Sequence, residues 1–181
     1  MISLMVKAED VANFFIELCK DDPDPMTPLR LEKILFEAQA WSLVKLGKVL
    51  FEDDIEAWGL GPVVPYVYER FKGTRDAIRK TSKGYSSSVF TRDQMMLMVN
   101  VANYVSNMST DYMIDRTHAA GSPWEAVYNA KKRNKIPLDL IREYYEKLDL
   151  KEFDVKKAFG SLKEAGPRDE NGNTVLSGDW D

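Results

Sequence analysis

Thr27-Pro28-Leu29-Arg30-Leu31-Glu32-Lys33-Ile34-Leu35-Phe36-Glu37-Ala38-Gln39-Ala40-Trp41 opens the stretch that decides the fold. Thr27 has the side chain of a helix N-cap, and Pro28 suits the first helical position, where a missing N–H costs nothing. Leu31, Ile34, Leu35, Ala38 and Trp41 recur at helical spacing, so the segment is an amphipathic helix expected to stop near Gly47. A second segment follows, Ile55-Glu56-Ala57-Trp58-Gly59-Leu60-Gly61-Pro62-Val63-Val64-Pro65-Tyr66-Val67-Tyr68. Two glycines and two prolines beside tryptophan and tyrosine describe a shaped turn packed on aromatics. Ile55 to Trp58 is a candidate short strand.

Outward from this core, the periodicity is helical almost throughout. Val11, Phe14, Phe15, Leu18 and Cys19 mark one face of a first helix, ended by Asp21-Asp22-Pro23-Asp24-Pro25. Pro65 opens a short helix carrying Tyr68 and Phe71 and closed by Gly73. Thr91-Arg92-Asp93-Gln94 has the capping-box pattern, with Met95, Met98, Val99, Ala102 and Val105 as the stripe behind it; Met96 points elsewhere. Ser122-Pro123-Trp124-Glu125 is a second capping box. Pro137 opens a helix with Ile141, Tyr144, Tyr145 and Leu148, and a weaker helix covers about Leu150 to Leu162. There is no internal repeat. The expected architecture is mainly α: one compact multi-helix domain over residues 1–166 with at most a minor β element, then a polar, mobile tail over 167–181.

The two opening segments resemble the Panacea domain, or SocA-like, family of bacterial and phage-associated antitoxins. The helix matches in Thr27, Leu29, Leu31, Lys33, Leu35, Ala38, Gln39 and Trp41. The turn matches in Glu56, Ala57, Trp58, Gly61, Pro62, Val63, Pro65 and Tyr68, and a weaker third match is Thr117-His118 with Ser122-Pro123-Trp124. Phe36 stands where the family leads one to expect tyrosine. The resemblance implies a cytoplasmic binding protein that neutralises a cognate protein toxin, encoded by the adjacent gene, through direct contact. Some relatives act instead as adaptors that deliver a toxin to an ATP-dependent protease of the ClpXP type.

Composition narrows the rivals. The chain has 181 residues, a formal net charge of −4, one histidine and one cysteine. An acidic balance argues against a dedicated nucleic-acid binder or a DNA-binding autoregulator. One histidine and one cysteine exclude multi-histidine and zinc-finger metal sites and any intramolecular disulfide, and no cofactor is expected. Cys19 reads as a small core side chain. The N-terminus lacks a basic region before a long apolar run, and no stretch reaches membrane-spanning length, which places the protein in the cytoplasm. Asp53, Asp54 and Glu56 read as solvated turn residues. Gly59-Leu60-Gly61 fails as a phosphate loop, because Val64 takes the third glycine position and Pro62 lacks a donor. The enzyme alternative, a small helical hydrolase or transferase using His118, lacks partners at fixed spacing; His118 is better suited to fixing a helix end.

The candidate partner-binding residues are Gln39, Trp58, Pro62, Tyr66, Tyr68, Arg75, Arg79 and His118. Two basic clusters accompany them: Arg70, Lys72, Arg75, Arg79, Lys80 and Lys83, and then Lys131, Lys132, Arg133 and Lys135. Brought together, they would make a positive patch suited to an acidic protein surface. The oligomeric state is left open.

Overall fold

Helix α2, Pro28–Lys45, is the axis around which the other elements are arranged. A computed structural model of the chain describes residues 5–22, 25–74 and 77–148, all within one compact unit. Arg75, the expected helix over 150–162 and the boundary at 166 lie outside the described residues. The others are α1 (Ala8–Leu18), β1 (Glu56–Trp58), β2 (Gly61–Val63), α3 (Pro65–Phe71), α4 (Arg92–Val105), α5 (Thr110–Thr117), α6 (Pro123–Val127), β3 (Asn134–Lys135) and α7 (Leu138–Lys147). The expected mainly α fold is what forms. Its sheet is small, antiparallel and ordered β2-β1-β3. No helix among the described residues is long and apolar enough to cross a membrane.

Local chemistry sets the helix ends as expected. The Thr27 hydroxyl accepts the Arg30 N–H at 3.2 Å, and α2 ends before Gly47, whose φ of 66° stops the ladder. Thr91 and Gln94 form the reciprocal box that starts α4. At α6 only half of the box appears: Ser122 accepts the Glu125 N–H, while Glu125 reaches Gly121 N instead. Helix α5 was not anticipated, although its N-cap signal, Ser109 accepting from Tyr112 N, is legible in retrospect.

Three readings need correction. Helix α2 is not amphipathic in its setting, since every residue from Arg30 to Leu43 is buried. It packs against α1, α3, α4, α5, α7 and β2, so no face remains for solvent. In α4 the buried positions are Gln94, Leu97, Met98, Val101 and Val105, a stripe rotated from the expected one. Gln94 is buried while its side chain also accepts the Thr91 N–H, and Met95 and Val99 are left half-buried. The acids near the hairpin are not merely solvated. Asp53 accepts the first N–H of α1 from Ala8 at 2.7 Å, Asp54 pairs with Lys135, and Glu56 accepts the Trp58 indole N–H.

The polar side chains of α2 act as bolts to neighbouring segments. Arg30 donates to the carbonyls of Met108 and Val105 at 2.8 and 3.2 Å. Gln39 is fully buried: its Nε2 donates to Phe51 O at 2.9 Å and its Oε1 accepts from Leu50 N at 2.8 Å. Glu37 lies 3.4 Å from Arg116 of α5. Buried polar groups need such partners, because an unpaired one forfeits its hydration without return.

Candidate functional site: a hairpin held by its main chain

The Gly-Pro segment is a tight hairpin. Pairing of Trp58 with Gly61 and of Ala57 with Pro62 leaves Gly59 and Leu60 as its two-residue tip. Pro62 sits in β2, an edge strand, where a missing N–H is tolerated. Gly61 has a φ of 104°, a conformation that side-chain-bearing residues rarely adopt. A Cβ there would stand 2.7 Å from both Lys33 Nζ and Thr117 Oγ1. The glycine is therefore required twice, by its backbone angle and by space.

Four side chains grip this hairpin, and all of them hold main-chain atoms. Lys33 Nζ donates to Pro62 O at 2.8 Å, and Glu32 Oε2 accepts from Val64 N at 2.7 Å. Trp124 Nε1 donates to Trp58 O at 2.7 Å, and His118 Nε2 lies 3.3 Å from Gly59 O. Burial pushes the Glu32 carboxyl up to about 8, against the opposing pull of Val64 N–H and Lys33. Burial likewise pulls the Lys33 ammonium down to about 8, against the attraction of Glu32.

The rings at the hairpin fall into two groups. Arg133 stacks its guanidinium 3.9 Å above Trp58, and Tyr68 meets Trp58 edge-on at 4.8 Å. Trp124 lies 3.8 Å from His118 and stacks on Tyr128 at 4.2 Å. Trp58 and Gly59 border two recesses. One, of about 270 Å³, is closed by Tyr128 and the run Lys131–Arg133; the other, of about 420 Å³, is walled by the start of α2, Leu60, Tyr68 and Lys72. The two basic clusters thus each contribute cations beside Trp58, Lys131 to Arg133 at one recess and Lys72 at the other.

The candidate residues divide accordingly. Trp58, Pro62, Tyr68 and His118 converge on the hairpin, and Tyr66, 57% exposed, stands on the first turn of α3 next to it. Gln39 does not reach the surface, because its amide is committed to the 50–51 segment. Arg79 is exposed, but it donates to Lys20 O at 2.7 Å, at the end of α1 rather than at the hairpin. Arg70 and Lys72 are engaged with Glu9 and Glu69. Glu32 and Tyr128 were missed. Glu32 carried one legible signal, a carboxylate adjoining Lys33 within an apolar helix.

The hydroxyls beside His118 are spent on carbonyls. Thr117 Oγ1 donates to Ile114 O at 2.8 Å, and Ser122 Oγ donates to Thr117 O at 2.8 Å. His118 Nδ1 lies 2.7 Å from Ile114 O. The arrangement suits a scaffold that presents a surface.

The family described as antitoxin SocA-like, Panacea domain, matches residues 31–125, from the buried turns of α2 through the hairpin to the start of α6. The chain belongs to this family. Antitoxin SocA of Caulobacter vibrioides (strain NA1000 / CB15N) is 30% identical over 139 residues, covering 71% of this chain and 74% of the relative. No solved structure matches. The Panacea match contains Glu32, Lys33, Gly61, His118 and Trp124, so the family segment and the hairpin with its grips coincide.

Proposed function

We propose that this protein is the antitoxin of a toxin–antitoxin pair and neutralises a cognate protein toxin, encoded by the neighbouring gene, by binding it directly through the hairpin face. Membership of the SocA-like family supports the antitoxin role. The observation that carries the choice of face is Trp58, with Arg133 over its ring, Tyr68 edge-on to it and a recess on each of two borders. Leu60, Tyr66 and Tyr128 stand exposed around it, at 58%, 57% and 37%. Aromatic side chains with a nearby arginine are the composition of interface hot spots.

The test is co-expression with the neighbouring gene. Growth rescue by the wild-type chain, its loss in a Trp58→Ala, Arg133→Ala variant that still folds, and rescue that persists in a host lacking ClpXP are the expected results. Rescue that disappears without the protease would overturn direct neutralisation in favour of delivery for degradation. Unchanged rescue by the double variant would move the toxin contact away from this face.

A further inference from the structure

The smaller recess is rich in hydrogen-bond donors that the fold does not use. Arg133 lies over the Trp58 ring at 3.9 Å, and its side chain has no ion pair or hydrogen bond among the described residues. The same holds for the ammonium groups of Lys131 and Lys132, which line the recess with it. By contrast, Arg70 pairs with Glu9, Lys72 with Glu69, and Lys135 with Asp54. Tyr128 forms a further wall and brings its hydroxyl close to Gly59, 3.8 Å from where a Cβ would stand.

Acceptors beside these donors are occupied. Trp58 O takes the Trp124 indole N–H, and Gly59 O faces His118 Nε2. Asn129 accepts twice, from Lys132 N at its carbonyl and from Lys131 N at Oδ1, which closes the turn that carries the cations. Glu56, the carboxylate nearest in sequence to Trp58, accepts the Trp58 indole N–H. A recess with cations to spare and acceptors spent selects an occupant that only accepts. The ionised carboxylate is the protein side chain of that kind.

The footprint favours a carboxylate over a chain of phosphates. The unpaired cations occupy three consecutive positions, and Lys135, just beyond them, is neutralised by Asp54. A nucleic-acid backbone calls for a row of cations, whereas a single carboxylate needs only this turn. The recess, of about 270 Å³, has room for a side chain. The Trp58 ring holds the guanidinium from one side and leaves its N–H donors for a bidentate carboxylate. Asn134 Nδ2 braces the turn by donating to Val127 O at 2.7 Å, so little ordering is needed when a partner arrives.

We propose that this recess receives an aspartate or glutamate side chain of the protein toxin, gripped by Arg133 with Lys131 and Lys132 beside it. The proposal deepens, and rests on, the reading of the chain as an antitoxin that binds through the hairpin face.

Two experiments with the full-length chain test it. In the first, amide and indole N–H chemical shifts are followed during titration of a blocked peptide of alternating glutamate and leucine, its glutamine counterpart, or a thymidine oligonucleotide. Saturable shifts at Trp58, Lys131, Lys132 and Arg133 with the glutamate peptide, and binding at least about tenfold weaker with glutamine, are expected. Shifts centred on Arg70 and Arg79, no preference for glutamate, or tighter binding of the oligonucleotide at this turn would overturn the assignment. In the second, affinity for the neighbouring gene's product is measured for Arg133→Lys and Arg133→Gln. Arg133 is exposed, so both variants should keep the wild-type thermal midpoint. Arg133→Lys should bind about tenfold more weakly, because lysine keeps the charge and loses the fork. Replacing the partner's surface acids by their amides, one at a time, should find one whose effect is not additive with Arg133→Gln. Wild-type affinity for Arg133→Lys, or additivity for every acid, would overturn the role of Arg133. Failure of the wild-type chain to bind that product would overturn the antitoxin reading itself, and the peptide titration decides the recess independently of it.

Discussion

Trp124 donates its indole N–H to the main-chain carbonyl of Trp58 at 2.7 Å, across 66 positions of sequence. The bond ties α6 to the hairpin and fixes the tilt of the Trp124 ring between His118 and Tyr128. Trp124→Phe keeps the apolar ring but leaves the Trp58 carbonyl without this donor. A loss of about 1–3 kcal/mol is expected, read as a lower midpoint in urea at an unchanged slope. An unchanged midpoint would mean that the bond contributes nothing net.

Gly61→Ala should be more damaging than its size suggests. The residue holds a φ of 104°, and the new methyl would meet Lys33 Nζ and Thr117 Oγ1 at 2.7 Å. Backbone strain alone is worth about 1–3 kcal/mol, and displacement of the Lys33 grip adds to it. Thermal denaturation decides the matter, with Gly47→Ala as the comparison: Gly47 also has positive φ, but nothing lies within 4 Å of its Cβ position. Gly61→Ala should fall well below Gly47→Ala.

Glu32 gives a pH dependence of definite sign. Its folded pKa, about 8, lies above the ordinary carboxylate value of 4.5, with burial the largest cause. The folded state therefore binds the proton more tightly, and this contribution to stability is full below about 4.5 and is lost as pH rises through about 8. Glu32→Gln lacks this titration and keeps an acceptor for Val64. Between pH 5 and 7 (below the range in which Lys33 titrates), the stability of the wild type should fall relative to Glu32→Gln by at least about 1 kcal/mol. Parallel stability curves for the two proteins would refute the assignment.

Charge steering should follow the cations that flank Trp58. Lys131 and Lys132 border the smaller recess, whereas Arg79 is tied to Lys20 O at the end of α1. Reversing Lys131 and Lys132 to glutamate should slow association with the toxin and flatten its salt dependence, since steering is screened over a Debye length of about 8 Å. Arg79→Glu should leave both unchanged. Association rates at two salt concentrations distinguish the variants, and a larger effect from Arg79 would point to a different docking face.

The fold was legible wherever local chemistry decides it. Thr27-Pro28, Thr91 with Gln94, and Pro123 mark helix starts through bonds spanning three residues, and such bonds form in any tertiary setting. The turn was legible for the same reason. Enclosure of α2 was not, because charges at Arg30, Glu32, Lys33 and Glu37 imitate a wet face, and their partners come from segments distant in sequence. Gln39 was misplaced on the same grounds. At the site, aromatic density pointed to Trp58 and Tyr68, and the family resemblance to His118, but nothing in the order of residues brings Arg133 onto Trp58. That contact depends on β3 pairing with β1, and β3 is two residues long.

Because Lys33, Glu32, Trp124 and His118 all engage the hairpin through peptide atoms, its architecture is indifferent to which side chains decorate the tip. Leu60 and Tyr66 project outward from a mount that does not depend on their identity. A scaffold built in this way can exchange its outward vocabulary while keeping its grammar. New specificities against different toxins would then require substitutions at a few exposed positions, and the central helix would not have to be redesigned.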